Sequence, residues 1–364
     1  MSIEISAADR AAVRFSADTL LRTEPYGEGH INVTYAAWYR RADGTEYRQL
    51  LQQINTYVFP DPAGLMANIL GVTGWLRQRV GERETLTVIP TLAGEPYYTD
   101  PEGHAWRSYV FIEGATAYQR IEKDSDFATC GESFGRFQQL LADYPALQLR
   151  ETIPHFHDTP SRYAALHRAL EADPLGRAAS VQTEIRFALE REDTADALTA
   201  ALESGALPRR VTHNDTKLNN ILIDDATGKG LCVIDLDTVM PGAVAFDFGD
   251  CIRFGANTAA EDETDLSRVG LNLHLFEVFA AGYLRSAAGF LTPAEVDSLA
   301  VGARLMTLEC GVRFLTDYLE GDVYFRIHRP EHNLDRCRTQ FRLVADMEDK
   351  MAQMQTIVQR AVQD

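Results

Sequence analysis

Three side chains stand at a spacing that could carry out phosphoryl transfer: Asp215, Asn220 five residues on, and Asp235 twenty residues after Asp215. They lie in the stretch 213–237, HNDTKLNNILIDDATGKGLCVIDLD. Transfer from a nucleotide needs one carboxylate to orient the attacking hydroxyl and take its proton. It also needs an amide oxygen and a second carboxylate to hold Mg²⁺ against the phosphates. Two short apolar runs, Ile221–Ile223 and Leu231–Ile234, flank a turn rich in Asp and Gly and read as a β-hairpin. Asn220 then stands at the hairpin entrance and Asp235 at its exit, so the two can face one point with Asp215 beside them. The bland alternative is a surface hairpin whose Asp and Asn residues only build turns.

The H-x-D-x-x-x-x-N spacing from His213 to Asn220 is that of the protein-kinase catalytic loop. Its second residue here is Asn214 instead of Arg, which points to the small-molecule kinases of that fold. Asp247-Phe248-Gly249 imitates the metal-binding DFG triplet but lies past a turn at Pro241-Gly242. Asp235 leaves the strand that pairs with the one after Asn220, so Asp235 takes the metal role. Asp247 is expected to anchor the loop or a helix N-terminus. Asp237 reads as a capping or solvated residue, with the metal's outer shell as the alternative. His213 could act as a base on chemistry alone, but packing beneath the loop is the favoured reading.

The elements that must position this cassette begin with an amphipathic helix over 6–22, capped by Ser6. A hairpin at Pro25–Tyr35 follows, where Gly27 and Gly29 would let the backbone approach phosphates; an unliganded G-x-G turn is the alternative. Strands are expected at Ala36–Arg41 and Tyr47–Ile54, around a turn at Asp43-Gly44. No Lys occurs in Arg48–Asn55, so Arg48 or a glutamine would have to meet the phosphates, or their charge is met otherwise. A helix over 62–80 starts with Asp61 as cap and Pro62 at its first position. Strands follow near Leu86–Ile89 and Ala105–Ile112. The stretch Phe111-Ile112-Glu113-Gly114 reads as the segment that would pair with an adenine edge, or as an edge strand ending in a loop. Beyond residue 116 the apolar spacing is helical, over 125–142, 161–172, 181–204, 264–286, 293–320 and 335–362. The expected fold is α+β and bilobal, protein-kinase-like. Residues 1–114 form a small N-terminal antiparallel β-sheet lobe that binds nucleotide, and residues 115–364 a larger, mostly helical catalytic lobe.

The bulk properties narrow the function. With 364 residues, 45% hydrophobic and 24% charged, the chain has ample core for two lobes. A net charge of −18 argues against nucleic acid as a partner. Five scattered cysteines form neither a disulfide framework nor a zinc pattern. No apolar leader and no membrane-length run is visible, so a cytoplasmic protein is expected. No coiled-coil seam is evident, and a monomer is the default.

The stretch HNDTKLNNILIDDATGKGLCVIDLDTVMPG resembles the aminoglycoside-phosphotransferase superfamily, and more narrowly the bacterial N-acetylhexosamine 1-kinases. Further matches are EPYGEGHINVTY (24–35), LLQQIN (50–55), ETIPHFHDTPSRY (151–163), FDFGDCIRFGA (246–256) and LECGVRFLTDYLEGDVYF (308–325). The resemblance implies phosphorylation, by ATP with Mg²⁺, of the anomeric hydroxyl of N-acetylglucosamine or N-acetylgalactosamine. It places Asp215 as base, Asn220 and Asp235 on the metal, and His30, Asn32, Arg313 and Tyr324 on the sugar. From the residues alone, Arg313 sits in an apolar helix and needs either a ligand or an internal pair with Glu309, Asp317 or Glu320. His30 and Asn32 could equally be polar turn residues. The rival readings are a kinase of choline, an amino alcohol or an aminoglycoside, and a non-catalytic nucleotide-binding regulator.

Overall fold

The structure is a computed structural model that describes residues 6–27, 31–118, 121 and 123–363. The chain divides into two compact units. Met1–Thr116, Gln148–Ile153 and Leu222–Met240 form the first; Ala117–Leu147, Pro154–Ile221 and Pro241–Asp364 form the second.

The first unit opens with helix α1 (Ala7–Ala12), whose cap Ser6 accepts from the Asp9 N–H at 3.0 Å. Strands β1 (Thr19–Pro25), β2 (Val33–Arg40) and β3 (Glu46–Ile54) follow, then helix α2 (Pro62–Arg77), β4 (Val88–Ile89), β5 (Tyr98–Thr99), β6 (Ala105–Val110) and β7 (Ala115–Ala117). The main sheet is antiparallel in the order β1-β2-β3-β6-β4, with β5 also on β6. Ala8, Ala11, Ala12 and Phe15 bury against Ala37, Tyr39, Leu51 and Trp106 of the sheet, and the Tyr39 hydroxyl donates to the Ala12 carbonyl. That packing corrects the expected helix over 6–22. The helix stops once its alanines are buried, and residues 19–25 gain more by pairing with β2 than by extending an exposed helix. Asp61 and Pro62 start α2 as expected, the Asp61 carboxylate accepting from the Gly64 N–H at 2.9 Å.

The second unit holds helices α3 (Asp124–Leu140), α4 (Thr159–Ala172), α5 (Gln182–Leu189) and α6 (Ala197–Glu203), then strand β8 (Arg210–Thr212). The hairpin β9 (Ile221–Asp224) and β10 (Gly230–Val233), which from Leu222 onward belongs to the first unit, forms as expected, with β7 on the outer side of β9. Strand β11 (Met240–Gly242) pairs with β8, and helices α7 (Val244–Gly255), α8 (Leu273–Ala287), α9 (Pro293–Glu320) and α10 (His332–Gln363) complete the chain. Residues 181–204 are two short helices where one was expected. The break falls at Arg191, whose guanidinium is drawn off to Glu348 of α10 at 2.7 Å. Glycines set the closest helix crossings: a Cβ on Gly135 would land on the Tyr283 backbone, and one on Gly249 on the Gly302 carbonyl. Among the described residues no helix is long and apolar enough to cross a membrane.

Candidate active site

In the second unit β8 delivers the chain into the loop 213–220, and α7 holds that loop from below. The Asp247 carboxylate accepts the backbone N–H of His213 at 2.9 Å and of Asn214 at 2.7 Å, together with the Gln138 amide at 2.6 Å. Asp250 accepts the Thr216 N–H at 3.1 Å, while the Thr216 hydroxyl donates to the Asp247 carbonyl. Burial pushes the Asp247 carboxyl above its ordinary range, and the donors around it only partly offset this. Asp247 is therefore an anchor for the loop, as the sequence suggested. His213 is fully buried against the edges of Phe134 and Phe137, and its Nδ1 accepts the Asp215 N–H. It packs beneath the loop.

With its backbone fixed this way, the loop presents two of the expected residues together. Asn220 donates from Nδ2 to the Asp215 carbonyl at 2.7 Å and to Asp215 Oδ2 at 3.0 Å. The other carboxylate oxygen, Oδ1, is met by Lys217 Nζ at 2.5 Å. Burial pushes the Asp215 carboxyl up, but Lys217, His213 and Asn220 outweigh it and hold the group below its ordinary range. Lys217 is correspondingly raised: burial lowers it, and Asp215 with Asp250 more than offset this. Sequence reasoning passed over Lys217. Its signal was position, since only four lysines occur in the chain and this one lies two residues after Asp215.

A second cluster of the same unit gathers the flanking stretches. His157 bonds Glu309 Oε1 at 3.1 Å through Nδ1 and the Asn214 carbonyl at 3.2 Å through Nε2, while the Thr159 hydroxyl donates to Glu309 Oε2. One helical turn further along α9, Arg313 lies over the rings of Tyr324 and Phe325, at 5.7 and 5.2 Å from their centroids. None of the acids considered for it is its ion-pair partner. Glu309 is held by His157, and Asp317 accepts the N–H groups of Val323, Tyr324 and Phe325, building the turn that carries Tyr324. Tyr324 itself is 67% exposed.

The His157–Glu309 pair has a pH signature. Burial pulls His157 down, but Glu309, Asp250 and the Asn214 carbonyl hold it above its ordinary 6.5. Burial pushes Glu309 up, but His157, Arg162 and Arg313 hold it below its ordinary 4.5. A raised histidine stabilises fully below pH 6.5 and loses this as pH climbs through its raised value. A depressed glutamate stabilises fully above pH 4.5 and loses this as pH falls through its lowered value. The stability difference between wild type and His157→Gln, from urea unfolding, is therefore expected to peak in that window and shrink in alkali. A difference independent of pH would refute the ion pair.

In the first unit, Asp235 leaves β10 in a left-handed backbone conformation, φ 58°, and a single turn at Leu236–Thr238 follows. Asp237 in that turn is neither solvated nor a helix cap. It forms a buried two-point ion pair with Arg107 of β6, at 2.6 and 2.8 Å. Asn32 donates to the same carboxylate at 2.6 Å, and its Oδ1 accepts the Asn55 N–H at 3.0 Å. A polar row across three strands supports Arg107: Gln52 accepts from its Nε at 3.0 Å and donates to Thr34 at 3.1 Å. Gly27 takes φ +76° in the turn before β2, a conformation that glycine enters without strain. Gly29 and His30 lie outside the described residues. Arg48 does not point to a phosphate role: it grips Glu113 at 2.9 and 2.8 Å and covers the Phe111 ring at 3.6 Å, with Tyr26 edge-on to the same ring. Arg107, which also feels the charge of Asp235, lies on β6, one strand over from the position where a lysine was sought.

An antiparallel sheet unit followed in the chain by a mainly helical one, with a catalytic-type loop before the hairpin, defines a protein-kinase-like fold. The sequence matches the phosphotransferase enzyme family over residues 22–285, and the chain belongs to that family. Solved structures share the fold at low identity. An aminoglycoside phosphotransferase from Alicyclobacillus acidocaldarius subsp. acidocaldarius DSM 446 is similar with TM-score 0.61 and 11% identity, covering 100% of this chain and 98% of that one. The amicoumacin kinase hAmiN, in complex with AMP-PNP, Ca²⁺ and Ami, gives 0.57 and 12%, covering 92% and 90%. A choline kinase from Cryptosporidium parvum Iowa II gives 0.55 and 12%, covering 94% and 93%. The protein is a small-molecule phosphotransferase.

Proposed function

We propose that this phosphotransferase transfers the γ-phosphoryl group of ATP to the anomeric hydroxyl of an N-acetylhexosamine, giving the sugar 1-phosphate. The observation that carries the acceptor class is Arg313: a guanidinium over two aromatic rings, with the neighbouring Glu309 and Asp317 held by other groups. Cationic acceptors such as choline or an amino alcohol call for carboxylates there; a neutral polyol does not. Tyr324 and Asn32, with His30, are the further sugar contacts in this reading.

Asp215 is the base, and its environment says what kind. Both carboxylate oxygens are held and its basicity is depressed, so its main work is to aim the hydroxyl oxygen along the line of transfer. An anomeric hydroxyl, more acidic than an ordinary alcohol, suits so weak a base. Gly27 and Gly29 would approach the phosphates, and the Phe111–Glu113 segment the adenine. In this reading Asn220, which uses Nδ2 for both bonds to Asp215 and keeps Oδ1 as its acceptor end, and the Asp235 carboxylate would hold Mg²⁺. A phosphate-bound Mg²⁺ needs only one or two protein ligands, the nucleotide phosphates and waters supplying the rest. When bound it would offset negative charge on the phosphates.

The test is ADP release with ATP and Mg²⁺ over a panel of N-acetylglucosamine, N-acetylgalactosamine, glucose, galactose, choline and kanamycin, with phosphorus NMR of the product. An anomeric phosphate from the N-acetyl sugars is the expected result. Turnover confined to choline or kanamycin would overturn the sugar assignment.

A further inference from the structure

The stretch 151–163 carries an arginine that the reading above does not use. Arg162, in the first turn of α4, is pinned by one end of its guanidinium: Nη2 donates to the carbonyls of His155 at 2.8 Å and Phe156 at 2.7 Å. Nη1 has no protein partner among the described residues, and the Nε hydrogen is buried without one. No carboxylate pairs with this guanidinium among the described residues, although most of the part-buried arginines of the second unit have such a partner, Arg191, Arg210, Arg253 and Arg304 among them.

Its neighbours are those of the proposed acceptor site. Phe156, whose carbonyl it holds, packs on His157 at 4.7 Å between centroids, and His157 reaches both Glu309 and the Asn214 carbonyl next to Asp215. Burial destabilises the charged form of Arg162, and the charge of Arg313 adds to this; Glu309, Tyr324 and Asp158 act in the opposite sense. Glu309, which feels both charges, is already held by His157. Thr159, three residues before Arg162 on α4, bonds Glu309, four residues before Arg313 on α9, so the two arginines lie along the same two packed helices. Such a pair repels an ammonium group. It is relieved by an electron-rich oxygen that accepts from both, because an unmet buried donor and two like charges each carry a cost.

We infer that Arg162 is a specificity-determining residue of the acceptor site, presenting its guanidinium beside Arg313 to an oxygen substituent of the acceptor. In the N-acetylhexosamine reading, on which this inference rests, that substituent is the acyl carbonyl. A free amine at the same position is rejected by the two cations. The site thus separates acylated from deacylated amino sugars by charge as well as by shape.

The test compares kcat/KM for N-acetylglucosamine and glucosamine in wild type, Arg162→Gln and Arg162→Lys. Wild type is expected to prefer the acylated sugar at least about a hundredfold. Arg162→Gln should cut this preference at least tenfold, mainly through KM for the N-acetyl sugar, with KM for ATP unchanged. Arg162→Lys, which keeps the charge, should retain more of the discrimination against the amine than Arg162→Gln does. A preference unchanged in Arg162→Gln, or a parallel rise in KM for ATP, would overturn the inference. If wild type turns over another neutral or anionic acceptor but no N-acetylhexosamine, the function proposed above fails on its substrate. The inference then stands only if Arg162→Gln still weakens discrimination between that acceptor and an amine-bearing analogue. A wild type that prefers ammonium-bearing acceptors overturns both.

Discussion

Asp215→Ala and Asp215→Asn are each expected to lower kcat at least about a thousandfold, with circular dichroism unchanged and nucleotide binding retained. The size follows from what the residue does: general-base assistance contributes about 10²–10⁴, and alignment of the attacking oxygen adds to it. The loop should survive the change, because its shape is set by α7. Asp247 and Asp250 hold the backbone of His213, Asn214 and Thr216, and the Asn220 amide keeps its bond to the residue 215 carbonyl. Lys217 loses its nearest counter-charge but still feels Asp250. Isothermal titration with an unreactive ATP analogue, beside single-turnover kinetics, separates the two effects. Residual turnover above about one tenth of wild type would remove Asp215 from the base role.

The second large effect concerns stability. Arg107→Met is expected to lower the unfolding free energy by roughly 3–5 kcal/mol, because it leaves the Asp237 carboxylate buried with no cation. Both partners are almost fully buried, at 1% and 3% side-chain exposure, so water does not screen the loss. Adding Asp237→Leu should recover a substantial part, since removing both charges costs less than stranding one. Urea midpoints of the single and double variants measure this. The same pair ties β6 and the Asn32 turn to the turn that follows Asp235, so Arg107→Met should also raise the apparent KM for ATP. A single variant within about 1 kcal/mol of wild type would show that the pair adds nothing net.

Local patterns were legible in the sequence where the deciding interactions are local. Asp61-Pro62 announced α2, the helical spacing over 293–320 became α9 at the expected bounds, and the apolar runs around Asp224–Gly230 became the hairpin. The readings that failed turn on distant partners. Residues 19–25 carry enough apolar character for either period, and pairing with β2 decides it. Arg107 and Asp237 lie 130 residues apart, so nothing near Asp237 could announce its partner. From the sequence Arg313 needs either a ligand or a helical ion pair. The structure removes the ion pair because Glu309 and Asp317 are drawn to His157 and to the turn at 323–325. The family was legible in the spacing of His213, Asp215, Asn220 and Asp235, which is a local pattern too.

The Lys217–Asp215 contact also makes the loop chemically addressable. Acylating reagents modify an amine only after it loses its proton, and Lys217 keeps its proton as long as Asp215 holds it. The chain offers just three other lysine side chains, Lys123, Lys229 and Lys350. Covalent footprinting followed by peptide mass analysis can therefore resolve this one amine, and its labelling rate becomes a reporter of whether a ligand has drawn Asp215 away.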